Sequence, residues 1–447
     1  MANPLDMFFK GYRTTVFNRG RIGHVSLSSY VEGLEDLRTY DPPYEGFRIA
    51  RILKETEGSA TPYFREVGPG MDGVGNLVDR RSKLLKILGA RDDEEAYKAL
   101  LSAEDAPGKL DVVGAWVDEY RTIDSLRKLP LVKYYEKEAA PYITSAVIIA
   151  RAPDGAYNAS IHRFTPIGDD RAVVRLVPRH LYTIYHKWRD MGKDTPVAVV
   201  WGTHPAVLLS AASSPPYGVF ELAVAARLMN GLKVVELDNG TYAPYLATVI
   251  MEGYITGQLA DEGPYVDVVG TYDVVRKQPV IKIERIYVLK SSPIVNYLLP
   301  AGLEHQLLMG FEREAKIWRA VSSVVPKVVK VRLTRGGFGW MHAVISIKKN
   351  VEGDAKNAAL AAFAAHPSLK HVVVVDEDID PDDPRDVEWA LATRFRADRG
   401  LFVIPYARGS TLDPMALNEE GLTYKVGVDA TRPLDKDPRM FEKARIP

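Results

Sequence analysis

The sequence contains no cysteine, and its only glutamines are Gln258, Gln278 and Gln306. The absence of cysteine excludes disulfides, thiolate metal sites, iron–sulfur clusters and cysteine nucleophiles. A scarcity of cysteine and glutamine beside many Arg, Glu and Pro residues is typical of heat-adapted proteins. We therefore expect a protein adapted to high temperature, in which no metal ion is bound through sulfur of cysteine.

The chain also lacks an excess of charge and a long hydrophobic run. Lys plus Arg and Asp plus Glu both number 58 among 447 residues, so the net charge is near zero. A balanced charge gives no support for binding to nucleic acid or to an anionic membrane surface. The N-terminal segment Met1 to Asp6 shows no basic-then-apolar signal pattern, and no apolar run approaches the ~20 residues of a membrane span. We expect a cytoplasmic protein.

Three regions follow one another along the chain. Residues 1–105 mix helical and strand patterns and predict an N-terminal α/β domain. Residues 106–310 contain many short β-like runs separated by Gly and Pro, which predicts a β-barrel domain. Residues 311–447 alternate strands and helices after a connecting helix predicted over 304–324, and they predict a C-terminal α/β domain. The predicted fold class is therefore α/β multidomain (α+β).

Hydrophobic periodicity predicts the local structure of several segments. It predicts helices over residues 30–39 and 79–88, the second ending at Gly89, because glycine suits the left-handed backbone of a helix C-terminus. It predicts strands over residues 46–56 and 266–272. Further strands of the predicted barrel are expected over 143–150, 157–164, 172–178, 196–202, 233–237, 247–254 and 280–288.

Two carboxylates lie five residues apart in the segment Glu262-Gly-Pro-Tyr-Val-Asp267. Gly and Pro favour a turn or an irregular backbone, so the segment is not predicted as a helix face, and both acids can converge on one pocket. Paired carboxylates support acid–base chemistry, because repulsion and unequal burial separate their pKa values. An ordinary acidic surface loop is the alternative interpretation.

Asn158, His180 and Glu221 are candidate ligands for a divalent metal ion. Amide, imidazole and carboxylate groups of this mix suit Mn²⁺ or Mg²⁺. Each residue also has a purely structural explanation: Asn158 in a turn, His180 on a helix face, and Glu221 at a helix N-terminus, where an acid favours the helix dipole. The three residues fall on separate elements, so their spacing leaves both interpretations open.

Arg163 ends a predicted strand that also carries Asn158, Ser160 and His162. Regular alternation places those three residues on one face and Arg163 on the other, so a bulge or the strand end would be needed for all of them to serve one site. An Arg beside two carboxylates can hold one of them ionised and clamp a substrate carboxylate. A surface salt bridge is the alternative interpretation.

Two further segments could bind phosphate. Lys425 lies among small residues and could act as a point charge on a phosphate, or it could be an ordinary exposed lysine. The segment Arg335-Gly-Gly-Phe-Gly339 has no clear helix after it, so it fails as a dinucleotide or P-loop fingerprint. The sequence contains no Walker, GxSxG or HExxH motif.

Taken together, these segments resemble the UbiD family of decarboxylases over about residues 30–435. The motifs occur in the order that the family has, and the acid loop Glu-Gly-Pro-Tyr-x-Asp is the most specific of them. The other motifs are Ala139-Ala-Pro-Tyr-Ile-Thr144, Asn158-Ala-Ser-Ile-His-Arg163, Val375-Asp-Glu-Asp-Ile379 with the segment from Asp386 to Arg394, and Lys425-Val-Gly-Val-Asp-Ala-Thr431.

The resemblance implies an N-terminal α/β domain, a split β-barrel like that of flavin reductases, a connecting helix and a C-terminal α/β domain. It implies reversible, non-oxidative decarboxylation of an α,β-unsaturated acid with prenylated FMN, Mn²⁺ or Mg²⁺, and K⁺ in many members. The implied proton donor is Asp267, and Glu262 is the implied electrostatic partner of a catalytic Arg163. The implied metal ligands are Asn158, His180 and Glu221. The implied cofactor contacts are Ser160, Ile161, His162, Arg163, Arg179, His180 and Lys425.

The short, Cys-free chain resembles the archaeal branch of the family, some members of which decarboxylate trans-anhydromevalonate 5-phosphate for isoprenoid synthesis. We expect this substrate, and Arg335 and His305 are candidate groups for its phosphate. An aromatic acid such as 4-hydroxybenzoate is the alternative substrate. A non-catalytic flavin-binding protein is the alternative of another class, and the presence of Arg163, Glu262 and Asp267 favours an enzyme. The implied partners are a flavin prenyltransferase that supplies the cofactor and further copies of the chain, as a dimer or hexamer, with no nucleic acid or membrane partner.

Overall fold

The structure is a computed structural model that describes residues 26–444. The predicted absence of an N-terminal signal segment, and the first 25 residues of the predicted N-terminal domain, lie outside the described residues. Within residues 26–444, no helix has the length and apolar character needed to cross a membrane.

The N-terminal region forms a four-stranded sheet that a later strand completes. Its elements are α1 (Leu27–Glu32), β1 (Leu37–Tyr40), α2 (Arg48–Thr56), β2 (Thr61–Gly68), β3 (Met71–Gly75), α3 (Arg81–Leu88) and α4 (Asp93–Asp105). The sheet order is β1-β2-β3-β16, where β16 (Ile294–Tyr297) pairs in parallel with β3. The region therefore takes one strand that follows the barrel strands in the chain, and the domain boundaries stay a prediction.

Two local predictions in this region are wrong and one is confirmed. The helix predicted over residues 79–88 is α3, and Gly89 ends it with φ of 63°. The strand predicted over residues 46–56 is the helix α2, which buries residues at the helical spacing Ile49, Ile52, Leu53 and Thr56. Part of the helix predicted over residues 30–39 is the strand β1, because α1 ends before Gly33.

The central region forms a closed barrel, as predicted. Its elements in chain order are β4 (Leu110–Val112), β5 (Tyr120–Ile123), β6 (Ile143–Arg151), β7 (Tyr157–Pro166), β8 (Arg171–Val174), α5 (His180–Asp190), β9 (Thr195–Trp201), α6 (Pro205–Ala212), α7 (Glu221–Leu228), β10 (Leu232–Glu236), β11 (Tyr242–Pro244), β12 (Val249–Glu262), β13 (Tyr265–Val266), β14 (Tyr272–Asp273), β15 (Arg276–Leu289) and β16. The order β12-β9-β6-β7-β8-β15 closes because β15 also pairs with β12, and β5 adds to β15. Closure leaves these six strands without a free edge.

The barrel strand β6 is buried on both faces. Along β6, Ala146 and Ile148 belong to one hydrophobic core and Val147 and Ile149 to a second core, which also contains residues of α6 and α7. All four side chains are fully buried. Burial on both faces explains the continuous apolar run of this strand, and it fixes β6 and its neighbour β7 as a rigid support for any site built on them.

The strand predicted over residues 266–272 is instead a hairpin of the two short strands β13 and β14. Its turn is closed by backbone hydrogen bonds from Asp267 N to Thr271 O and from Gly270 N to Asp267 O. The turn uses Gly270 at φ of 77°, a conformation that favours glycine. The second half of the acid loop therefore folds back on itself.

The C-terminal region begins with the long helix α8 and continues as a five-stranded sheet with helices. Its elements are α8 (Leu303–Ser322), β17 (Lys327–Leu333), β18 (His342–Lys348), α9 (Asp354–Ala365), β19 (His371–Asp376), α10 (Pro384–Thr393), α11 (Ala397–Gly400), β20 (Leu401–Arg408) and β21 (Leu422–Ala430). The order is β17-β18-β19-β21-β20, with parallel central strands and antiparallel edges. The predicted connecting helix and the α/β alternation are confirmed.

The Gly-rich segment that failed as a nucleotide fingerprint has a packing function. A Cβ atom on Gly310 of α8 would lie 2.6 Å from the carbonyl oxygen of Gly339. A Cβ atom on Gly339 would lie 2.8 Å from the carbonyl oxygen of Gln306. The two glycines therefore let the turn after β17 approach the helix at backbone distance, which places Trp340 beside α8.

Candidate active site

Arg163 of β7 forms a buried ion pair with Glu262 at the end of β12. Its Nε lies 2.7 Å from Glu262 Oε1 and its Nη2 lies 2.6 Å from Oε2, a bidentate contact. The two side chains are 5% and 0% exposed. The guanidinium also stacks 4.4 Å from the ring centroid of Tyr265. This arrangement is the strong, planar form of an Arg–carboxylate contact, and it fixes the direction in which Arg163 points.

Asp267 contacts the same guanidinium more weakly. Arg163 Nη1 lies 3.3 Å from Asp267 Oδ2, and the Asp267 side chain is 26% exposed. The other oxygen, Oδ1, accepts a hydrogen bond from Val268 N at 2.7 Å. Burial opposes the charge of Arg163, but Glu262 and Asp267 together raise its pKa. The acid loop thus supplies one sequestered carboxylate and one that solvent reaches.

A third carboxylate on Arg163, that of Asp273, was not predicted from the sequence. Its Oδ2 lies 3.0 Å from Arg163 Nη2 and 3.9 Å from Arg175 Nε, and its Oδ1 binds Arg276. Burial opposes ionisation of Asp273, but Arg276 and Arg163 lower its pKa. The hairpin places Asp273 beside Arg163, because β13 and β14 pair Tyr265 with Asp273. The cluster therefore contains three carboxylates and three guanidinium groups.

A β-bulge lies opposite Arg163. The register between β6 and β7 pairs Ile143 with Phe164 and Ala146 with His162, so two residues of β6 face the single residue Arg163. A bulge bends its strand and increases the local twist. Regular alternation along β7 would separate Arg163 from Asn158. The bulge in β6 interrupts the regular pairing of the two strands at Arg163.

Asn158, His180 and Glu221 meet although they come from β7, α5 and α7. Asn158 Nδ2 donates to Glu221 Oε1 at 2.7 Å, and Ala159 N donates to Oε2 at 2.7 Å. His180 Nδ1 lies 4.0 Å from Glu221 Oε1. Burial raises the pKa of Glu221, although the nearby imidazole of His180 and the hydrogen bond from the backbone of Ala159 oppose the shift. A buried carboxylate in need of positive charge, beside an imidazole and an amide, fits a divalent cation.

One of the three candidate metal ligands is an amide, that of Asn158. Among residues 26–444, no cluster of three or more His, Cys, Asp and Glu side chains could hold a metal ion. Asn158 therefore has to supply the third group, and its Oδ1 accepts a hydrogen bond from Ser160 Oγ at 3.0 Å. The role of these residues as metal ligands stays a prediction.

Polar side chains form a line along β7 that runs from Asn158 through Ser160 and His162 towards Arg163. Ser160 Oγ lies 2.9 Å from His162 Nε2, and His162 Nδ1 lies 2.9 Å from the carbonyl oxygen of Arg175. Because a carbonyl only accepts, Nδ1 carries the proton. Burial lowers the pKa of His162 to about 4, so the ring is neutral. Ile161 points elsewhere and packs against the core that contains α6 and α7.

Arg179 belongs to a basic cleft that Arg179, Arg313 and Trp340 form within electrostatic range of Asp267. Its guanidinium lies 5.8 Å from the ring centroid of Trp340, and its side chain is exposed to solvent. Desolvation by the neighbouring protein atoms lowers its pKa to about 10, and the charge of Arg313 adds to this effect. Asp267 acts on it in the opposite direction. The cleft therefore places uncompensated positive charge near the exposed carboxylate.

The structure does not bring Lys425 into contact with the other predicted site residues. Lys425 lies on β21, a strand that was not predicted, and its Nζ donates to the carbonyl oxygens of Pro367 at 2.5 Å and Leu369 at 2.6 Å. Burial lowers its pKa to about 8. One donor of the ammonium group is left for a ligand. Its predicted contact with the cofactor stays a prediction.

His305 and Arg335 differ in their surroundings. His305 on α8 accepts a hydrogen bond from Ala301 N at Nδ1, 3.1 Å away. Burial lowers the pKa of His305, and the charge of Asp267 opposes this shift. His305 is therefore a neighbour of the acid loop, whereas Arg335 lies exposed in the Gly-rich turn.

The arrangement can hold a carboxylate and deliver a proton. Arg163 is a fixed cation, its Nη1 edge is the least tightly bound, and the exposed Asp267 lies at that edge. A second polar set, Asn158 on the same strand with His180 and Glu221 on two helices, can hold a divalent cation. This combination suits acid–base chemistry on a carboxylic acid beside a bound anionic cofactor.

Most of the chain matches two parts of one known family. Residues 112–303 match the 3-octaprenyl-4-hydroxybenzoate carboxy-lyase Rift-related domain, and residues 306–430 match the C-terminal domain of the same carboxy-lyase. The chain is 48% identical over 414 residues to the anhydromevalonate phosphate decarboxylase of Aeropyrum pernix, with 92% of each chain covered. It is 45% identical over 406 residues to the protein of that name from Methanocaldococcus jannaschii, with 90% of this chain and 95% of the relative covered.

Solved structures share the fold over nearly the whole chain. The UbiD-class enzyme HmfF from Pelotomaculum thermopropionicum in complex with FMN superposes with a TM-score of 0.87 at 35% identity, covering 94% of this chain and 96% of that chain. An evolved dimeric form of HmfF in complex with prFMN superposes with a TM-score of 0.84 at 34% identity, covering 94% of this chain and 97% of that chain.

Proposed function

This chain belongs to the UbiD family of carboxy-lyases, and we propose that it decarboxylates trans-anhydromevalonate 5-phosphate with prenylated FMN as its cofactor. The observation that carries the choice of substrate is the similarity to the two archaeal anhydromevalonate phosphate decarboxylases, which are 48% and 45% identical over at least nine tenths of this chain. The cofactor is supported by the FMN and prFMN complexes of HmfF.

Arg163 is proposed to hold the carboxylate of the substrate. Glu262 occupies Nε and one edge of the guanidinium through contacts of 2.7 and 2.6 Å. Nη1 has only the 3.3 Å contact with Asp267, so a substrate carboxylate can take this position with the smallest loss of existing bonds. Glu262 is then a positioning residue, because it fixes the guanidinium without touching the substrate.

Asp267 is proposed to deliver the proton that replaces the departing CO₂. It lies at the Nη1 edge of Arg163, and Val268 N fixes one of its oxygens while the other faces the site. Its side chain is 26% exposed, so solvent can return the proton after each turnover. The decarboxylated carbon gains this proton and the carboxylate of Asp267 remains.

Residues along β7 and beside it would hold the cofactor and the metal. Prenylated FMN, when bound, supplies the electrophilic centre that accepts electron density during loss of CO₂. Asn158, His180 and Glu221 would hold Mn²⁺ or Mg²⁺. The residues proposed to contact the cofactor are Ser160, Ile161, His162, Arg163, Arg179, His180 and Lys425.

The test is turnover by the protein loaded with prenylated FMN. The mass and absorption spectrum of the bound flavin are recorded first, and CO₂ release is then measured with the phosphorylated acid and with 4-hydroxybenzoate. Turnover of the phosphorylated acid is the expected result. Turnover of 4-hydroxybenzoate alone would replace the substrate by an aromatic acid. A loaded protein inactive on both acids would favour a non-catalytic flavin-binding protein.

The proposal includes two partners. A flavin prenyltransferase would supply the cofactor, because the prenyl group has to be attached before the protein uses it. Further copies of the chain would form a homo-oligomer, which the dimeric form of HmfF supports. Manganese as the metal, a cytoplasmic location and heat adaptation remain predictions from the sequence.

A further inference from the structure

We propose that the basic cleft formed by Arg179, Arg313 and Trp340 binds the phosphate group of the substrate, with Arg313 as its principal cation and Arg179, which is also proposed to contact the cofactor, beside it. The inference rests on the proposed function, since a phosphorylated acid needs a second anion site in addition to Arg163. It assigns the substrate phosphate to residues other than Arg335 and His305, which the sequence suggested.

Two cations share one indole ring in this cleft. The guanidinium groups of Arg179 and Arg313 each lie 5.8 Å from the ring centroid of Trp340. Trp340 is 3% exposed, so the ring is a fixed platform between them. Arg179 makes no ion pair with any carboxylate in residues 26–444 within 4.0 Å. Two adjacent guanidinium groups without a matching number of carboxylates favour a bound anion.

The remaining charges around Arg313 do not neutralise the cleft. Arg313 Nη1 lies 3.1 Å from Glu312 Oε2, and Lys316 contacts the other oxygen of the same carboxylate. Glu312 is therefore shared between two cations. By contrast, Arg163, Arg175 and Arg276 face the three carboxylates of the acid cluster. The positive charge available to a phosphate lies at Arg179 and Arg313.

Arg313 is held in one orientation. Its Nη2 donates to Ser214 Oγ at 2.8 Å, and Glu312 fixes Nη1. The side chain is only 14% exposed. A guanidinium fixed in this way loses little conformational freedom when an anion binds, and its planar fork suits the oxygens of a phosphate.

The helix α8 relates this cleft to the acid loop. His305, Met309 and Arg313 follow one another at four-residue spacing along one side of α8, and Met309 packs with Val268 and Trp340. His305, at the other end of this row of side chains, lies within electrostatic range of Asp267.

The experiment compares Arg313→Gln and Arg313→Lys with wild type and with Arg319→Gln. Arg319 lies on the same helix, is 50% exposed and pairs with Asp105, so its substitution is a matched control. For the phosphorylated acid, we expect KM to rise about 10- to 100-fold in Arg313→Gln, because a charge-assisted bidentate contact is lost. Arg313→Lys keeps the charge but not the fork and should show a smaller rise. Arg319→Gln should match wild type.

A second measurement does not depend on catalysis. Calorimetric titration with isopentenyl phosphate, which is the proposed substrate without its CO₂, should show binding to wild type and at least 10-fold weaker binding to Arg313→Gln. Flavin content is recorded for each variant. A loss of flavin with unchanged binding of isopentenyl phosphate would assign the cleft to the phosphate of the cofactor and overturn the inference.

The outcomes separate this inference from the proposed function. A wild-type protein that does not turn over the phosphorylated acid contradicts the proposed function, and the titration then decides this inference alone. A wild-type protein that turns it over, with KM and titration unchanged in both Arg313 variants, contradicts this inference alone. Circular dichroism identifies a variant that has not folded, and Arg313→Lys then carries the comparison.

Discussion

Replacing Glu262 by Gln is expected to destabilise the protein by about 2–3 kcal/mol and to lower kcat/KM by at least ~10²-fold. The substitution keeps the shape of the side chain and removes its charge. Three carboxylates and three guanidinium groups then become two against three, so the buried cluster gains one net positive charge. Because Arg163 and Glu262 are 5% and 0% exposed, water cannot compensate for this charge.

The size of the expected loss of stability follows from the carboxylates that Arg163 retains. Removing one partner of a buried ion pair costs about 3–5 kcal/mol when the remaining charge is left alone. Arg163 retains Asp273 at 3.0 Å and Asp267 at 3.3 Å, which places the expected cost at the lower end of that range or just below it. The amide of Gln can accept only one of the two hydrogen bonds, so the guanidinium is no longer fixed and the substrate carboxylate is misplaced.

Urea unfolding and CO₂ release measure the two effects. Asp261→Asn is the matched control, because Asp261 is the preceding residue of β12, is 64% exposed and forms a surface pair with Lys277 at 2.9 Å. A surface pair of this kind contributes less than ~1 kcal/mol. If Glu262→Gln shifts the unfolding midpoint no more than Asp261→Asn and leaves kcat/KM unchanged, the buried cluster does not position Arg163.

Three further predictions concern other carboxylates. Asp267→Asn should retain bound flavin but lose at least ~10²-fold in decarboxylation, and near-normal CO₂ release would remove Asp267 from the role of proton donor. Glu221→Gln should bind less Mn²⁺, measured by elemental analysis, and unchanged metal content would contradict the predicted Asn158, His180 and Glu221 set. Burial and the neighbouring Glu312 raise the pKa of Glu104 from 4.5 to about 7, so the free energy of unfolding should fall as pH rises from 4.5 through about 7. Glu104→Gln should remove up to about 3 kcal/mol of this decline. If urea unfolding between about pH 5 and pH 8 gives the same dependence of the free energy of unfolding on pH for both proteins, this prediction is contradicted.

The sequence was sufficient for the parts of the fold that local patterns encode. The α/β alternation after α8 and the cap at Gly89 follow from periodicity and from the backbone freedom of glycine. The segment of α2 was misassigned because Ile49, Ile52 and Leu53 satisfy a helical spacing while the β-branched residues also favour a strand. Short amphipathic segments of this kind are decided by the surface against which they pack, which a single sequence does not contain.

The candidate site was predictable only where a motif is continuous. The segment from Asn158 to Arg163 and the acid loop are short motifs, and the structure brings Arg163, Glu262 and Asp267 together. Asp273 was missed because it reaches Arg163 through a hairpin whose register is set by pairing with Tyr265, and no local pattern marks it. The bulge opposite Arg163 was stated as a condition but could not be located, since it lies on the neighbouring strand.

The strand β7 carries Asn158 at one end of the polar line and Arg163 at the other, and this has a consequence for how the protein can change. Five residue steps of about 3.3 Å hold the two residues about 16 Å apart along a strand that is paired with β6, which is buried on both faces. One inserted or deleted residue between them would alter that distance by about 3.3 Å and turn every later side chain to the opposite face. The number of residues in this segment therefore constrains the site more strictly than most of its side chains do. A change of substrate preference can be introduced in the cleft and the hairpin, whereas the spacing along β7 has to stay constant.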